Sequence, residues 1–275
     1  LVVEKINNVL IKILPPFVYG VLKRLYSYKY GWRGKYSSWA EAEGVASGYD
    51  AENILDKVSE SLLKVKNGEA VFERDSVLFD EIQYSWPIYS GLLLAAAKNG
   101  GKLDIIDFGG SLGSSYFQNK KFLDQISSVS WNVIEQGNFV KRGKELFADD
   151  RLHFYHDVDE CKINENPNVL MISNTLQYIE SPYELLDSLI RDCFDVIIFD
   201  KTLFTLDGSE RVTVQVVPPW IYNASYPCHI LSEDRFKQYF ILNGYKLVEE
   251  FNANVGDTNE YRFKGFIFVR EIKES

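Results

Sequence analysis

At 275 residues with 46% hydrophobic side chains, the chain is long enough to bury a sizeable core, and disorder is excluded. It carries 30 Lys and Arg against 39 Asp and Glu, a formal net charge of -9, which argues against a nucleic-acid partner whose phosphates need a basic face. Cys161, Cys193 and Cys228 stand far apart with no Cys-x-x-Cys, which speaks against a zinc knuckle or a disulfide framework and suits a reducing, cytoplasmic setting.

Before residue 37 the charge balance is reversed: Lys5, Lys12, Lys23, Arg24, Lys29, Arg33 and Lys35 face the single acid Glu4. Val9 to Leu22 is apolar but interrupted by Lys12 and Pro15-Pro16, too short and broken for a membrane span, and no signal-peptide cleavage pattern follows it. Two readings stand side by side. Residues 1–36 are a basic amphipathic segment touching the inner face of a membrane or an anionic lipid-linked substrate, or they pack on the domain with their lysines in water.

Glu41 to Val65 and Ser76 to Lys98 predict helices, the second divided or kinked at Pro87 and stopped by Asn99-Gly100-Gly101. Residues 1–100 therefore read as an N-terminal helical extension. From 101 to 275 the pattern alternates strand and helix, with strands over Leu103 to Asp107, Ser130 to Glu135, Leu152 to Tyr155, Val169 to Ser173, Asp195 to Asp200, Lys246 to Phe251 and Phe263 to Arg270. This predicts an α/β fold, a Rossmann-like, mostly parallel sheet of seven strands with helices on both faces. Ser181-Pro182-Tyr183-Glu184 reads as a capping box, and Ser232 as the cap of a helix that Asn243-Gly244 ends.

The stretch Ile105-Ile106-Asp107-Phe108-Gly109-Gly110-Ser111-Leu112-Gly113 is an apolar strand that ends in an acid and breaks into glycines, followed by a helix from Ser114 to Ile126. The nicotinamide fingerprint Gly-x-Gly-x-x-Gly, set on Gly109, fails at Ser111 and Ser114. The methyl-donor pattern, an acid followed by Gly-x-Gly-x-Gly, is met by Asp107, Gly109 and Gly113, with Ser111 in place of the middle glycine. A carboxylate there favours the sulfonium and ammonium of S-adenosylmethionine and repels a pyrophosphate. Glu135, in Val133-Ile134-Glu135-Gln136 at the end of the second strand, can accept both ribose hydroxyls of an adenosine.

With these pieces in place the chain resembles the class I S-adenosylmethionine-dependent methyltransferases. More narrowly, it is similar to a methyltransferase family associated with bacterial and archaeal surface-polysaccharide gene clusters. That match rests on Ser38-Trp39-Ala40-Glu41-Ala42, Gly48-Tyr49-Asp50, Glu73-Arg74-Asp75-Ser76, Tyr84-Ser85-Trp86-Pro87 and Asp107 through Tyr116. The resemblance implies a seven-stranded sheet with the last strand antiparallel, and S-adenosylmethionine as cofactor. Asp107, Gly109, Gly110, Ser111, Gly113, Glu135 and Gln136 would bind it, with Asp157 on the adenine amino group. Ser173 and Asn174 would stand beside the methyl-transfer centre.

Methyl transfer from a sulfonium is an in-line displacement needing alignment and a dry pocket, and an alcohol acceptor is helped by a base. Of the three histidines, His153 and His156 flank the adenine side, which leaves His229 as the candidate base. It sits in a long connection from Lys201 to Leu231, where Trp220, Tyr222 and Tyr226 form an aromatic wall for a sugar ring or a loop's private core. Tyr84, Trp86 and Tyr89 either reach over the cofactor or belong to the core. No paired carboxylates have a metal-like spacing, so no metal is expected. The leading expectation is a methyltransferase for a small polar acceptor, a hydroxyl of a nucleotide- or lipid-linked sugar. A methyltransferase-like binding module without turnover and a nicotinamide-dependent oxidoreductase are the alternatives.

Overall fold

A computed structural model of the chain describes residues 30–48, 51–74, 76–191, 194–219, 221, 223–253 and 258–271. In chain order its elements are β1 (Gly31–Tyr36), α1 (Trp39–Val45), α2 (Ala51–Lys66), β2 (Phe72–Arg74), β3 (Val77–Phe79), α3 (Trp86–Lys98), β4 (Lys102–Phe108), α4 (Ser114–Leu123), β5 (Ser128–Ile134), α5 (Gly137–Leu146), β6 (Leu152–Tyr155), α6 (Val158–Asn164), β7 (Val169–Ser173), a 3-10 turn (Leu176–Tyr178), α7 (Pro182–Ile190), β8 (Val196–Thr205), β9 (Arg211–Val216), β10 (Ser225–Ile230), α8 (Glu233–Leu242), β11 (Tyr245–Asn252) and β12 (Tyr261–Arg270). The described residues fall into two compact units, one from Leu1–Tyr49 and Val212–Cys228, the other from Asp50–Arg211 and His229–Ser275.

The larger unit is built on a seven-stranded sheet in the order β6-β5-β4-β7-β8-β12-β11. β4 pairs in parallel with β5 and β7, β5 with β6, and β7 with β8, while β12 runs antiparallel to both β8 and β11. This is the Rossmann-like α/β fold that the alternating pattern predicts. Central strands of such a sheet are covered on both faces and so are apolar throughout. Val169, Leu170, Met171 and Ile172 of β7 are all fully buried, as are Ile105 and Ile106 of β4. On one face, Phe199, Phe204, Phe236, Phe240, Phe266 and Phe268 form an aromatic cluster of mostly edge-to-face pairs, with Phe240 and Phe268 stacked, that joins β8, α8 and β12. Residues 51–100 fall in this unit with the sheet.

The smaller unit carries a three-stranded sheet in the order β1-β9-β10. Helix α1 begins at Ser38, whose hydroxyl accepts from the Glu41 amide at 3.2 Å, while the Glu41 carboxylate accepts from the Ser37 amide at 2.7 Å. Residues 1–29, with the apolar stretch Val9 to Leu22, lie outside the described residues, as do Tyr49, Asp50, Asp75 and Cys193. Among the described residues no helix is long and apolar enough to cross a membrane.

Several local expectations are corrected. The helix over Glu41 to Val65 is two helices, α1 and α2. The helix expected from Ser76 starts only at Trp86, because residues 72–79 form the antiparallel hairpin β2-β3 and Pro87 sits in the first turn of α3, where its missing amide costs nothing. Ser181 makes no capping hydrogen bond, although Pro182 does open α7. Ser232 does cap α8, accepting from the Arg235 amide. The Lys201 to Leu231 stretch is no long lid: it holds the end of β8 and the strands β9 and β10. Tyr84, Trp86 and Tyr89 pack around Phe122 with ring centroids 5.0, 5.5 and 4.5 Å away. Phe122 lies eight residues into α4, roughly 12 Å along the axis from its first residue, so this aromatic cluster serves packing away from the glycine turn.

Lys264 of β12 is buried between Glu233 of α8 and Glu250 of β11, 2.7 Å from each, and Lys237 bridges the same two acids. This network ties α8 and β11 to the strand beside β8. Lys264→Met should lower the unfolding free energy in urea by about 1–3 kcal/mol by leaving both carboxylates to share Lys237 alone, and adding Glu233→Gln and Glu250→Gln should return most of it.

Candidate functional site

The chain leaves β4 for β5 on one side and returns to β7 on the other, so the strand order reverses at β4. In open α/β sheets, ligands bind in the crevice outside the strand C-termini at such a switch point. Gly109 to Gly113 follow β4 there, Glu135 follows β5, and Asn174 and Thr175 follow β7.

Gly109 has φ +71, and its amide donates to the Ile134 carbonyl at 2.9 Å, stitching the turn to the end of β5. A Cβ at Gly109 would collide with the Thr175 side chain, so glycine is required where the ends of β4 and β7 converge. Gly113, at φ +91, is the N-cap of α4, and its amide closes the turn on the Gly110 carbonyl at 3.0 Å. Ser111 also adopts the left-handed conformation, φ +56, and donates its amide to Glu135 Oε1 at 3.3 Å. The serine in place of the pattern's middle glycine therefore keeps the backbone shape a glycine would give.

Asp107 is 1% exposed and lies beneath this turn: a Cβ on Gly110 would come within 2.5 Å of its Oδ2. Trp131 Nε1 of β5 donates to that same oxygen at 3.0 Å. Burial pushes the Asp107 carboxyl up to about 7; the Trp131 hydrogen bond and Lys201 pull it down, and Glu135 pushes it further up. Asp107 therefore supports the turn from beneath, with its carboxyl withdrawn from solvent. Glu135 is raised by burial as well, against hydrogen bonds from the amides of Gln136, 2.8 Å, and Ser111. Gln136 is exposed as the N-cap of α5 without a side-chain capping bond.

A third acid was not singled out in the sequence. Glu73 of β2 is 2% exposed and accepts from the Ser114 hydroxyl in the first turn of α4 and from the Ser76 amide. A carboxylate of the chain's own thus sits at the helix end that a phosphate would otherwise favour.

Across the switch point, Ser173 Oγ donates to Asp200 Oδ2 at 3.3 Å, and the Asn174 amide donates to the Asp200 carbonyl at 2.9 Å. Asn174 at φ +55 and Lys201 at φ +51 are both left-handed, and with Ser111 they put three non-glycine residues in that region, after β4, after β7 and within β8 just past its last pairing with β7. Gln177, fully buried, donates to both Asn174 Oδ1 and the Lys201 carbonyl. Lys201 Nζ lies 3.0 Å from Asp200 Oδ2. Gln177, Asp200 and Lys201 escape a sequence reading because nothing in their identities marks a left-handed backbone.

Asp157, after β6, uses Oδ1 to cap α6 through the Glu160 amide at 2.7 Å. His229, on β10, has Nε2 2.9 Å from the Glu180 carbonyl. A carbonyl only accepts, so Nε2 carries the proton and any role as a base falls to Nδ1. Tyr226 lies on β10 in the smaller unit, and Trp220 and Tyr222 lie outside the described residues. Among the described residues no group of three or more His, Cys, Asp or Glu side chains gathers as a metal cage.

No family model matches the chain, and no curated protein matches it. Among solved structures it is similar to the glycopeptide N-methyltransferase MtfA complexed with sinefungin, at 11% identity over 66% of this chain and 87% of that chain, TM-score 0.45. It is similar to an S-adenosylmethionine-dependent methyltransferase from Clostridium acetobutylicum, at 10% identity over 66% of this chain and 90% of that chain, TM-score 0.44. It is similar also to the magnesium protoporphyrin IX methyltransferase ChlM from Synechocystis PCC 6803 with bound S-adenosylmethionine, at 12% identity over 82% of this chain and 99% of that chain, TM-score 0.45. Likeness at this level says nothing of ligand or chemistry.

The buried acid makes stability depend on pH. Unfolded, Asp107 titrates near 3.8; folded, near 7, so the folded chain holds the proton longer and loses stability as pH rises from about 4 to about 7. Asp107→Asn keeps an acceptor for Trp131 and cannot ionise. Relative to the wild type it should gain on the order of 4 kcal/mol in urea unfolding between pH 4 and pH 8.

Proposed function

We propose that this chain is a methyltransferase that uses S-adenosylmethionine and acts on a small polar acceptor. The observation that carries the reading is the set of acids at the switch-point crevice: Asp107 and Glu73 are buried and Glu135 is half-buried around the glycine turn, and a bound cation would favour their ionised forms. Such a crevice favours a cationic ligand and disfavours a dinucleotide pyrophosphate. S-Adenosylmethionine, when bound, supplies a methyl group on a sulfonium, open to in-line displacement.

The chain's own residues fit this ligand. Glu135 spends one lone pair of each oxygen on the Ser111 and Gln136 amides and keeps acceptor capacity for ribose hydroxyls. Asp157 would take the adenine amino group on Oδ2. Gly109, Gly110, Ser111 and Gly113 bring backbone close to the ligand, and Ser173 and Asn174 border the reacting carbon. For the acceptor we propose a sugar hydroxyl in surface-polysaccharide biosynthesis, on the strength of the sequence resemblance. His229 would take the hydroxyl proton at Nδ1, with Trp220, Tyr222 and Tyr226 against the sugar ring. Residues 1–36 would bring the enzyme to the inner face of a membrane, where a lipid-linked substrate resides.

Calorimetry with S-adenosylhomocysteine and with NAD separates the chemistries. S-Adenosylhomocysteine should bind and NAD should not, and Glu135→Ala should weaken S-adenosylhomocysteine by about 10- to 100-fold. Binding of NAD alone would overturn the reading. Transfer of labelled methyl from S-adenosylmethionine to nucleotide-linked sugars tests the acceptor, and transfer only to other acceptor classes would refute it.

A further inference from the structure

The left-handed pair that follows the last β7–β8 pairing, Asn174 and Lys201, is held by one side chain, and that side chain orients a second. Gln177 is fully buried and its Nε2 donates to the Lys201 carbonyl at 3.1 Å and to Asn174 Oδ1 at 2.9 Å. A backbone carbonyl only accepts, so the Lys201 contact determines which end of the Gln177 amide is nitrogen. Asn174 must then turn Oδ1 toward Gln177. Its Nδ2 donates to no protein group among the described residues and points away from the clamp.

Neither clamped residue can relax, because the Asn174 amide is tied to the Asp200 carbonyl and Lys201 Nζ to the Asp200 carboxylate. The arrangement is costly: two left-handed non-glycine residues, and a buried Gln177 Oε1 with no hydrogen-bond partner. Costs of this kind gather where geometry serves a ligand.

Charge indicates which part of the ligand this amide meets. The methyl donor carries one anionic group, its α-carboxylate. Asp107, Glu135 and Glu73 make the β4, β5 and α4 side unfavourable for it. After β7, Asn174 offers an unspent N–H pair, and the nearby Lys201 ammonium balances the Asp200 carboxylate, so the anionic group meets a donor there without a net negative charge. We propose that Gln177 is a positioning residue that aims Asn174 Nδ2 at the α-carboxylate of the bound methyl donor, making the site selective for ligands that keep this carboxylate. This rests on the methyltransferase reading above.

Calorimetry of the full chain with S-adenosylhomocysteine and with its decarboxylated analogue, 5′-(3-aminopropylthio)-5′-deoxyadenosine, tests it. The wild type should prefer S-adenosylhomocysteine by about tenfold or more. Gln177→Glu cannot donate to both acceptors, so Asn174 turns its Nδ2 inward. S-Adenosylhomocysteine should then weaken by about 10- to 100-fold while the analogue stays within about twofold. Asn174→Asp preserves the acceptor for Gln177 and removes the N–H, and should give the same selective loss; if Gln177→Glu does not fold, this variant decides. Equal loss of both ligands, an unchanged preference, or a wild type that binds both alike would overturn the inference alone. A wild type that binds neither ligand overturns the methyl-donor reading, and this inference with it.

Discussion

A carboxylate sealed under a glycine turn is the constraint on which the site depends. Asp107 cannot be solvated where it lies, so it needs the Trp131 indole as donor and the missing Cβ of Gly110 as room. Those two conditions fix the height of the turn over β4. The turn in turn delivers the Ser111 amide to Glu135 and the Gly109 amide to the end of β5. Loss of the indole donor would leave a buried acceptor unmet beneath the turn.

The other side of the crevice is organised by strain rather than by burial of charge. After β7 and midway along β8 the backbone enters the left-handed region at Asn174 and Lys201, and a buried amide and a buried acid hold it there. The Lys201 ammonium stands 3.0 Å from the Asp200 carboxylate, so on this side of the switch point charge is paired within the chain itself.

Much of this was legible in the residues. The strands Leu152–Tyr155 and Val169–Ser173 are where the apolar runs put them, because short runs bounded by polar residues leave a buried parallel strand little room to slip. Other stretches misled for identifiable reasons. Residues 76–79 share apolar spacing with the helix that follows, so only the pairing of Phe72 with Phe79 reveals a hairpin. The strand β9 pairs with β1, some 180 residues earlier in the chain, and β10 pairs with β9, a partnership no local pattern announces. Ser181 has the residues of a capping box but at φ -117, ψ 75 makes no capping bond.

By itself the sequence determined the α/β alternation, the strand that ends in Asp107, the glycine turn after it and the acid after the next strand. All of these are local: hydrophobic period, turn chemistry and the spacing of one strand-turn-helix unit. Only the tertiary structure decided that Asp107 is buried under the turn, that Glu73 stands at the start of α4, and that Gln177 clamps Asn174 to Lys201 of β8. Burial, backbone handedness and hydrogen-bond direction depend on groups brought together from distant parts of the chain, and residue identity alone carries none of the three.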